Sequence, residues 1–244
     1  MKKKRSIIII IVIILILLIS ILFGMFFNNK KDDKVDEIKK SDAIKIKEEY
    51  ESLNGKESTS GKVYPKVTLK ENNAFRYATS KEIVEKIENG TGLIYLGFKQ
   101  CPWCRNAINV LDYINTSEIL YLDMLEERDK YEVVDGKLVK TENGTEEYKK
   151  LLTLLDSILD DYVVEDENGN KFNIEEKRIY VPLVIGVKNG KIVGYHSDTV
   201  DLNEGQSPFD LLDEKQQSKL KLIYEGINSK VFGDTCDLDG KSGC

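Results

Sequence analysis

Cys101 and Cys104 enclose Pro102 and Trp103 in the run Cys101-Pro102-Trp103-Cys104. A disulfide exchanger needs one exposed thiolate to attack and a second thiol within reach to resolve the mixed disulfide. Cysteines at i and i+3, at the start of a helix, supply both. Cys101 then falls where unpaired backbone N–H groups and the helix dipole favour the thiolate. Cys104 falls one turn in, on the apolar face, and is shielded. Pro102 suits a first helical turn, where its missing N–H would have no partner. Trp103 is expected to leave an aromatic face beside the sulfurs, free for a partner polypeptide. The same pair is also half of a thiolate metal site. Its other half would come from Cys236, Cys244 or His196, and the spacing between Cys236 and Cys244 is not a usual knuckle spacing. Packing alone is a third reading, which Pro-Trp at a strand-to-helix turn disfavours.

The surrounding elements must place this pair between a strand and a helix. Gly92 to Phe98 is short and apolar throughout, as a central strand buried on both faces would be. After it, Cys104, Ala107, Ile108 and Leu111 fall on one helical face. Upstream, residues 63–77 hold strand-like stretches. Thr79-x-x-Glu82 is a capping box that opens a helix through Ile83, Val84 and Ile87, and Asn89-Gly90 stops it. Ile119 to Met124 is a further strand. Val133 to Val139 predicts a hairpin around Asp135-Gly136. A helix follows with Leu151, Leu154, Leu155, Ile158 and Leu159 on its stripe, and Asn168-Gly169 marks another turn. Tyr180 to Val187 predicts a strand that Asn189-Gly190 turns into an antiparallel partner, Lys191 to Tyr195. Ser207-Pro208 predicts the start of a last helix with Leu211, Leu212, Leu220 and Ile223 inward. This alternation, closed by a hairpin, implies an α/β sandwich with a mixed sheet.

The chain has 244 residues, 41% hydrophobic and 32% charged, which suits a globular domain. A net charge of −6 argues against a nucleic-acid binder. Lys2, Lys3, Lys4 and Arg5 precede an apolar run from Ile7 to Phe27, interrupted only by Ser20 and Gly24. At about 1.5 Å per residue the run matches the roughly 30 Å hydrocarbon thickness of a bilayer. A cleaved signal usually has a shorter apolar region and a small-residue site, whereas the first alanine here is Ala43. Residues 7–27 are therefore expected to be an uncleaved transmembrane signal anchor after a cytoplasmic segment, residues 1–6. Residues 28–62 are polar and charged, as a solvated stalk would be. The domain is expected over 63–233, followed by a tail, 234–244, containing Cys236 and Cys244.

An apolar strand running into Cys101-Pro102-Trp103-Cys104, followed downstream by Val181-Pro182 and the Lys188-Asn-Gly hairpin, resembles the thioredoxin superfamily. The resemblance covers residues 63–230 and implies a thioredoxin-like fold, with 125–178 as a helical and hairpin insertion. It implies that Pro182 is cis beside the cysteines and that Val181 offers its backbone to a substrate strand. Among subfamilies the chain is similar to bacterial thioredoxin-like proteins of the bacteriocin transport accessory type, small anchored or secreted domains of Gram-positive bacteria. Two positions depart from the pattern. The family's buried acid, six residues before the first cysteine, is replaced by Tyr95, so proton removal from Cys104 would fall to water, Glu82 or Glu85. The Pro-Trp dipeptide is closer to the Pro-aromatic pair of glutaredoxins.

In a flexible polar tail, Cys236 and Cys244 have no packing role and are expected to pair as a structural disulfide, which implies an oxidising compartment. The lone histidine, His196, is expected on the surface away from the cysteines. The whole reads as a membrane-anchored, single-pass thiol–disulfide oxidoreductase facing outside the cytoplasm. Its partners would be protein thiols or disulfides and a transmembrane electron donor or acceptor, with no cofactor and no metal. The competing readings are a non-catalytic accessory protein of an export system and a thiolate metal-binding module.

Overall fold

Side-chain alternation along three short apolar strands builds the centre of the molecule. The computed structural model of the chain describes residues 42–135, 137–166 and 168–233. In β1 (Phe75–Tyr77), β2 (Gly92–Gly97) and β3 (Ile119–Asp123), successive side chains point to opposite faces. Leu93, Tyr95, Ile119 and Tyr121 enter one core, and Ile94, Leu96, Leu120 and Leu122 enter the other. Two hairpins follow, β4 (Lys130–Val134) with β5 (Lys137–Glu142) and β6 (Asp160–Glu165) with β7 (Lys171–Arg178). The sheet is completed by β8 (Leu183–Lys188) and β9 (Lys191–Ser197) in the order β1-β3-β2-β8-β9. Both β1 and β2 run parallel to β3, whereas β8 is antiparallel to β2 and to β9. The sheet is therefore mixed, as expected. At the β8–β9 turn Asn189 and Gly190 both have positive φ, 51° and 70°, the geometry a two-residue hairpin asks for.

The helices are α1 (42–51), α2 (Ser80–Asn89), α3 (Pro102–Leu111), α4 (Glu146–Leu155) and α5 (Glu214–Phe232). The first core takes side chains from α1, α3 and α5, and the second from α2 and α4. The capping box at the start of α2 forms as read, with Thr79 and Glu82 exchanging bonds.

Three expectations need correction. The polar stalk expected over 28–62 enters the folded unit at residue 42: Ala43, Ile46 and Tyr50 are buried on α1. Those few apolar positions lie one and two turns apart in a Lys- and Glu-rich stretch, so their stripe is narrow and composition hides it. Segment 125–178 is not wholly an insertion, because α4 buries Tyr148, Leu151 and Leu155 against the second face of the sheet; only the two hairpins stand outside it. The last helix does not begin at Pro208. Asn106 on α3 donates to the Pro208 and Asp210 carbonyls and accepts from the Leu212 N–H, which holds 208–212 as a turn. The helix opens instead at a capping box between Asp213 and Gln216, and Leu211 is left exposed. The membrane span read at 7–27, with its flanking segments, and the tail cysteines Cys236 and Cys244 lie outside the described residues. Among the described residues no helix is long and apolar enough to cross a membrane.

Arg105, fully buried in α3, joins these parts. Its Nε donates to the Pro65 carbonyl at 2.7 Å and its Nη1 to the carbonyls of Tyr50 at 2.8 Å and Lys99 at 3.2 Å. Its Nη2 donates to Asn54 Oδ1 at 2.8 Å. All four hydrogen-bond partners are neutral, the Tyr64 ring lies 5.5 Å from the guanidinium, and burial lowers the guanidinium pKa. Replacing Arg105 with alanine strands several buried acceptors at once. Arg105→Ala is expected to lower the unfolding free energy by about 3 kcal/mol or more, measured by urea titration; a loss below about 1 kcal/mol would show that the clasp is dispensable.

Candidate functional site

Cys101 sits at the junction where β2 ends and α3 begins. Its backbone N–H donates to Phe98 O at 3.2 Å, and its carbonyl accepts the Arg105 N–H at 3.0 Å, the first bond of α3. It is the N-cap residue, with Pro102 in the first helical position. Cys101 Sγ takes the place that a serine or aspartate oxygen usually holds at a cap, accepting the Cys104 N–H at 3.2 Å. The carbonyl of Val181 lies 3.7 Å from the same sulfur. Val181-Pro182 is a cis peptide bond, as the resemblance implied. The Pro182 carbonyl accepts the Asp198 N–H at 2.8 Å, which ties the loop after β9 to this edge.

Both thiols are free, yet their surroundings differ. Cys101 is 7% exposed and Cys104 0%. The hydrogen bond from Cys104, supported by the backbone N–H groups of Cys104 and Trp103, pulls the Cys101 thiol below the ordinary cysteine range despite its burial. The Asp198 carboxylate opposes this. Burial pushes Cys104 well up, and the adjoining Cys101 pushes it further. The two sulfurs are thus shifted in opposite directions, Cys101 toward the thiolate and Cys104 toward the thiol.

Tyr95 stands where an acid was absent from the sequence. It is fully buried, and its hydroxyl donates to the Cys104 carbonyl at 3.0 Å. Its ring stacks on Tyr121, the residue paired with it across β2 and β3, at 5.6 Å between centroids. Gly97 makes room for it: a Cβ there would lie 2.7 Å from the Tyr95 hydroxyl. Glu82 and Glu85 do not share this environment. Both are on α2, which packs on the opposite face of the sheet from Cys104. Glu82 is also held by Thr79 and Arg76, and Glu85 is exposed.

Trp103 is half-buried and borders a hollow of about 610 Å³ that is also lined by His196, Asp198, Leu202, Lys219 and Ile223. His196, expected to be remote, thus lines the same hollow as Trp103, because antiparallel pairing sets it opposite Val184 at the start of β8, two residues after Pro182. His196 Nε2 is 2.6 Å from the Thr199 carbonyl. Of the residues read from sequence, Cys101, Pro102, Trp103, Cys104, Val181 and Pro182 meet at one edge. Asp198, and Arg128, whose guanidinium lies 4.9 Å from the centroid of the Phe98 ring, had no motif to mark them. Among the described residues no group of three or more His, Cys, Asp or Glu side chains could hold a metal ion. Compared with known proteins, the chain matches no family model, no curated protein and no solved structure.

Alkylation by iodoacetamide, followed by peptide mass mapping, reads the thiol asymmetry. The rate at Cys101 is expected to rise with a midpoint below that of an ordinary cysteine, because its lowered pKa makes thiolate at lower pH. Cys104 is expected to stay unmodified in the folded chain. A Cys101 midpoint at or above the ordinary value, or equal labelling of both, would contradict the hydrogen-bond assignment.

Proposed function

We propose that this chain is a protein thiol–disulfide oxidoreductase of thioredoxin-like fold, anchored in the cell membrane by residues 7–27 with its folded unit outside the cytoplasm. The observation that carries the reading is the placement of two free thiols one helical turn apart, Cys101 capping α3 with its sulfur on the Cys104 N–H and Cys104 buried behind it. The sheet order β1-β3-β2-β8-β9, with a cis proline opening β8 beside the cysteines, supports the finer fold. Trp103, Val181 and Pro182 form the docking edge for a substrate polypeptide.

In the reducing direction the Cys101 thiolate attacks one sulfur of a substrate disulfide and expels the other as a thiolate, leaving a Cys101–substrate disulfide. Cys104 then loses its proton and attacks Cys101 Sγ. The second substrate thiolate leaves, and the Cys101–Cys104 disulfide holds the pair's two oxidised sulfurs. The substrate has gained two electrons and the protein has lost them, so thiols alone carry the reaction. Run backwards, the same steps install a disulfide. Tyr95 fixes the backbone of Cys104, so the resolving sulfur is aligned with Cys101.

The full chain in neutral detergent is expected to reduce or form disulfides in a test polypeptide, and Cys101→Ser to abolish the exchange. Retained turnover in Cys101→Ser would overturn the reading and favour a non-catalytic accessory role. A redox titration assigns the direction: a potential near about −270 mV marks a reductase and one near about −120 mV an oxidase. Tyr95→Phe removes one hydrogen bond, of about 1 kcal/mol. It is expected to slow resolution of the mixed disulfide by about fivefold, followed by quenched-flow mass analysis, with the Cys101 attack rate unchanged. An equal slowing of both steps would show that Tyr95 only supports the fold.

A further inference from the structure

Beside the cysteine edge lies a solvent-open hollow of about 610 Å³, walled by three elements. Trp103 comes from the first turn of α3, Asp198 and Asp201 from the loop after β9, and Lys219 and Ile223 from α5. Backbone bonds fix its place relative to the attacking sulfur. The Val181 carbonyl lies 3.7 Å from Cys101 Sγ, and the next carbonyl along, that of Pro182, accepts the Asp198 N–H at 2.8 Å. An extended polypeptide advances about 3.3–3.6 Å per residue. A side chain one or two positions from a substrate cysteine joined to Cys101 therefore reaches this hollow.

The ionised groups of the hollow do not cancel. Asp201 pairs with Lys219 at 3.4 Å, whereas Asp198 is exposed and forms no ion pair among the described residues. The ring of His196 turns its Nε2 to the Thr199 carbonyl, 2.6 Å away. Asp198 is held in place by its own backbone. Its φ is 69°, a left-handed conformation that aspartate and asparagine tolerate better than most non-glycine residues. Its N–H is spent on Pro182, and its Oδ1 accepts the Thr199 N–H at 2.8 Å. Trp103 adds an aromatic face, and Leu202 and Ile223 add apolar surface. A lysine or arginine side chain matches this combination, because its aliphatic stem packs on apolar surface while its head seeks a carboxylate or an aromatic face.

We infer that the hollow beside Trp103 receives the lysine or arginine side chain of a residue one or two positions from the reactive cysteine of the substrate polypeptide, with Asp198 as its anionic partner. The inference deepens the proposed function and rests on it for the substrate's identity as a polypeptide. It also gives Asp198 a use. Alone, its charge opposes the Cys101 thiolate; a cation seated on it offsets that opposition, so a matching substrate favours the attacking form as it docks.

Calorimetric titration of the full chain in neutral detergent tests the site. The probes are two short peptides with serine in place of the reactive cysteine, one flanked by lysines and the other by glutamines. The lysine peptide is expected to bind about fivefold more tightly at low salt, and the advantage to shrink as salt rises. Asp198→Asn is expected to cut it to about twofold or less. Asparagine keeps the backbone conformation and an oxygen for the Thr199 N–H, so a lost advantage reports the charge and not the fold. Equal affinities for the two peptides, no binding of either, or an advantage that survives Asp198→Asn would overturn the site. A further arm uses the cysteine disulfide form of each peptide. Tighter binding of the lysine form with no thiol–disulfide exchange by either would overturn the redox reading and leave the site. Exchange of both forms at equal rates, with equal affinities, would do the reverse.

Discussion

A guanidinium buried without a counter-ion ties three separate segments to the helix that bears the cysteines. Arg105 binds carbonyls at the end of α1, in the extended run at Pro65 and in the loop at Lys99, as well as the amide of Asn54. Each bond is to a dipole, and water could replace none of them in a site with no exposed surface. The loop at Lys99 leads straight into Cys101, so the position of the Cys101 sulfur depends on the residue that follows Cys104. Asn106, next in sequence, performs the matching task for the turn at 208–212. Between them, consecutive residues of α3 organise residues 50–65 and 208–212 around the site.

With the helix held, the two sulfurs differ for simple reasons. Cys101 is at the cap, where N–H groups have no intrahelical acceptor, and its sulfur takes one of them. Cys104 is a turn deeper, in a core lined by Tyr95 and Tyr224, with no water to share its charge. The tyrosines are a notable feature of this core. Tyr50, Tyr77, Tyr95 and Tyr121 lie ring against ring from α1 through β1 and β3 to β2. They fill the space under Cys104 with large, weakly polar groups where an ionised acid would need solvation.

The segment between β3 and β8 has two kinds of content. Its helix α4 is required, because the second face of the sheet would otherwise expose Leu120, Leu122 and Ile185. Its hairpins are not required by the core and form separate two-stranded sheets. The second of them seats Arg178 over the Tyr162 ring, 3.8 Å from its centroid.

The sequence by itself determined the local elements and the placement of Cys101 and Cys104 one turn apart at a strand-to-helix junction. Strand alternation, the Thr79–Glu82 box, the Asn189-Gly190 turn and the strand leading into Cys101 are set by neighbours within a few residues, where propensity and capping act. That the sheet is mixed followed less directly, through the alternation of strands and helices closed by a hairpin, whereas the order of strands across it was decided in three dimensions. Tertiary structure alone decided that residues 42–62 belong to the folded unit, because Ile46 and Tyr50 acquire a core only when α3 and the sheet pack against them. It alone decided that Pro208 lies in a turn, since the competing bonds come from Asn106, far away in sequence. It alone brought Arg128, Asp198 and His196 to the cysteine edge. Their side chains have no local signature, and their meaning is electrostatic, a matter of distance through space that spacing along the chain does not encode.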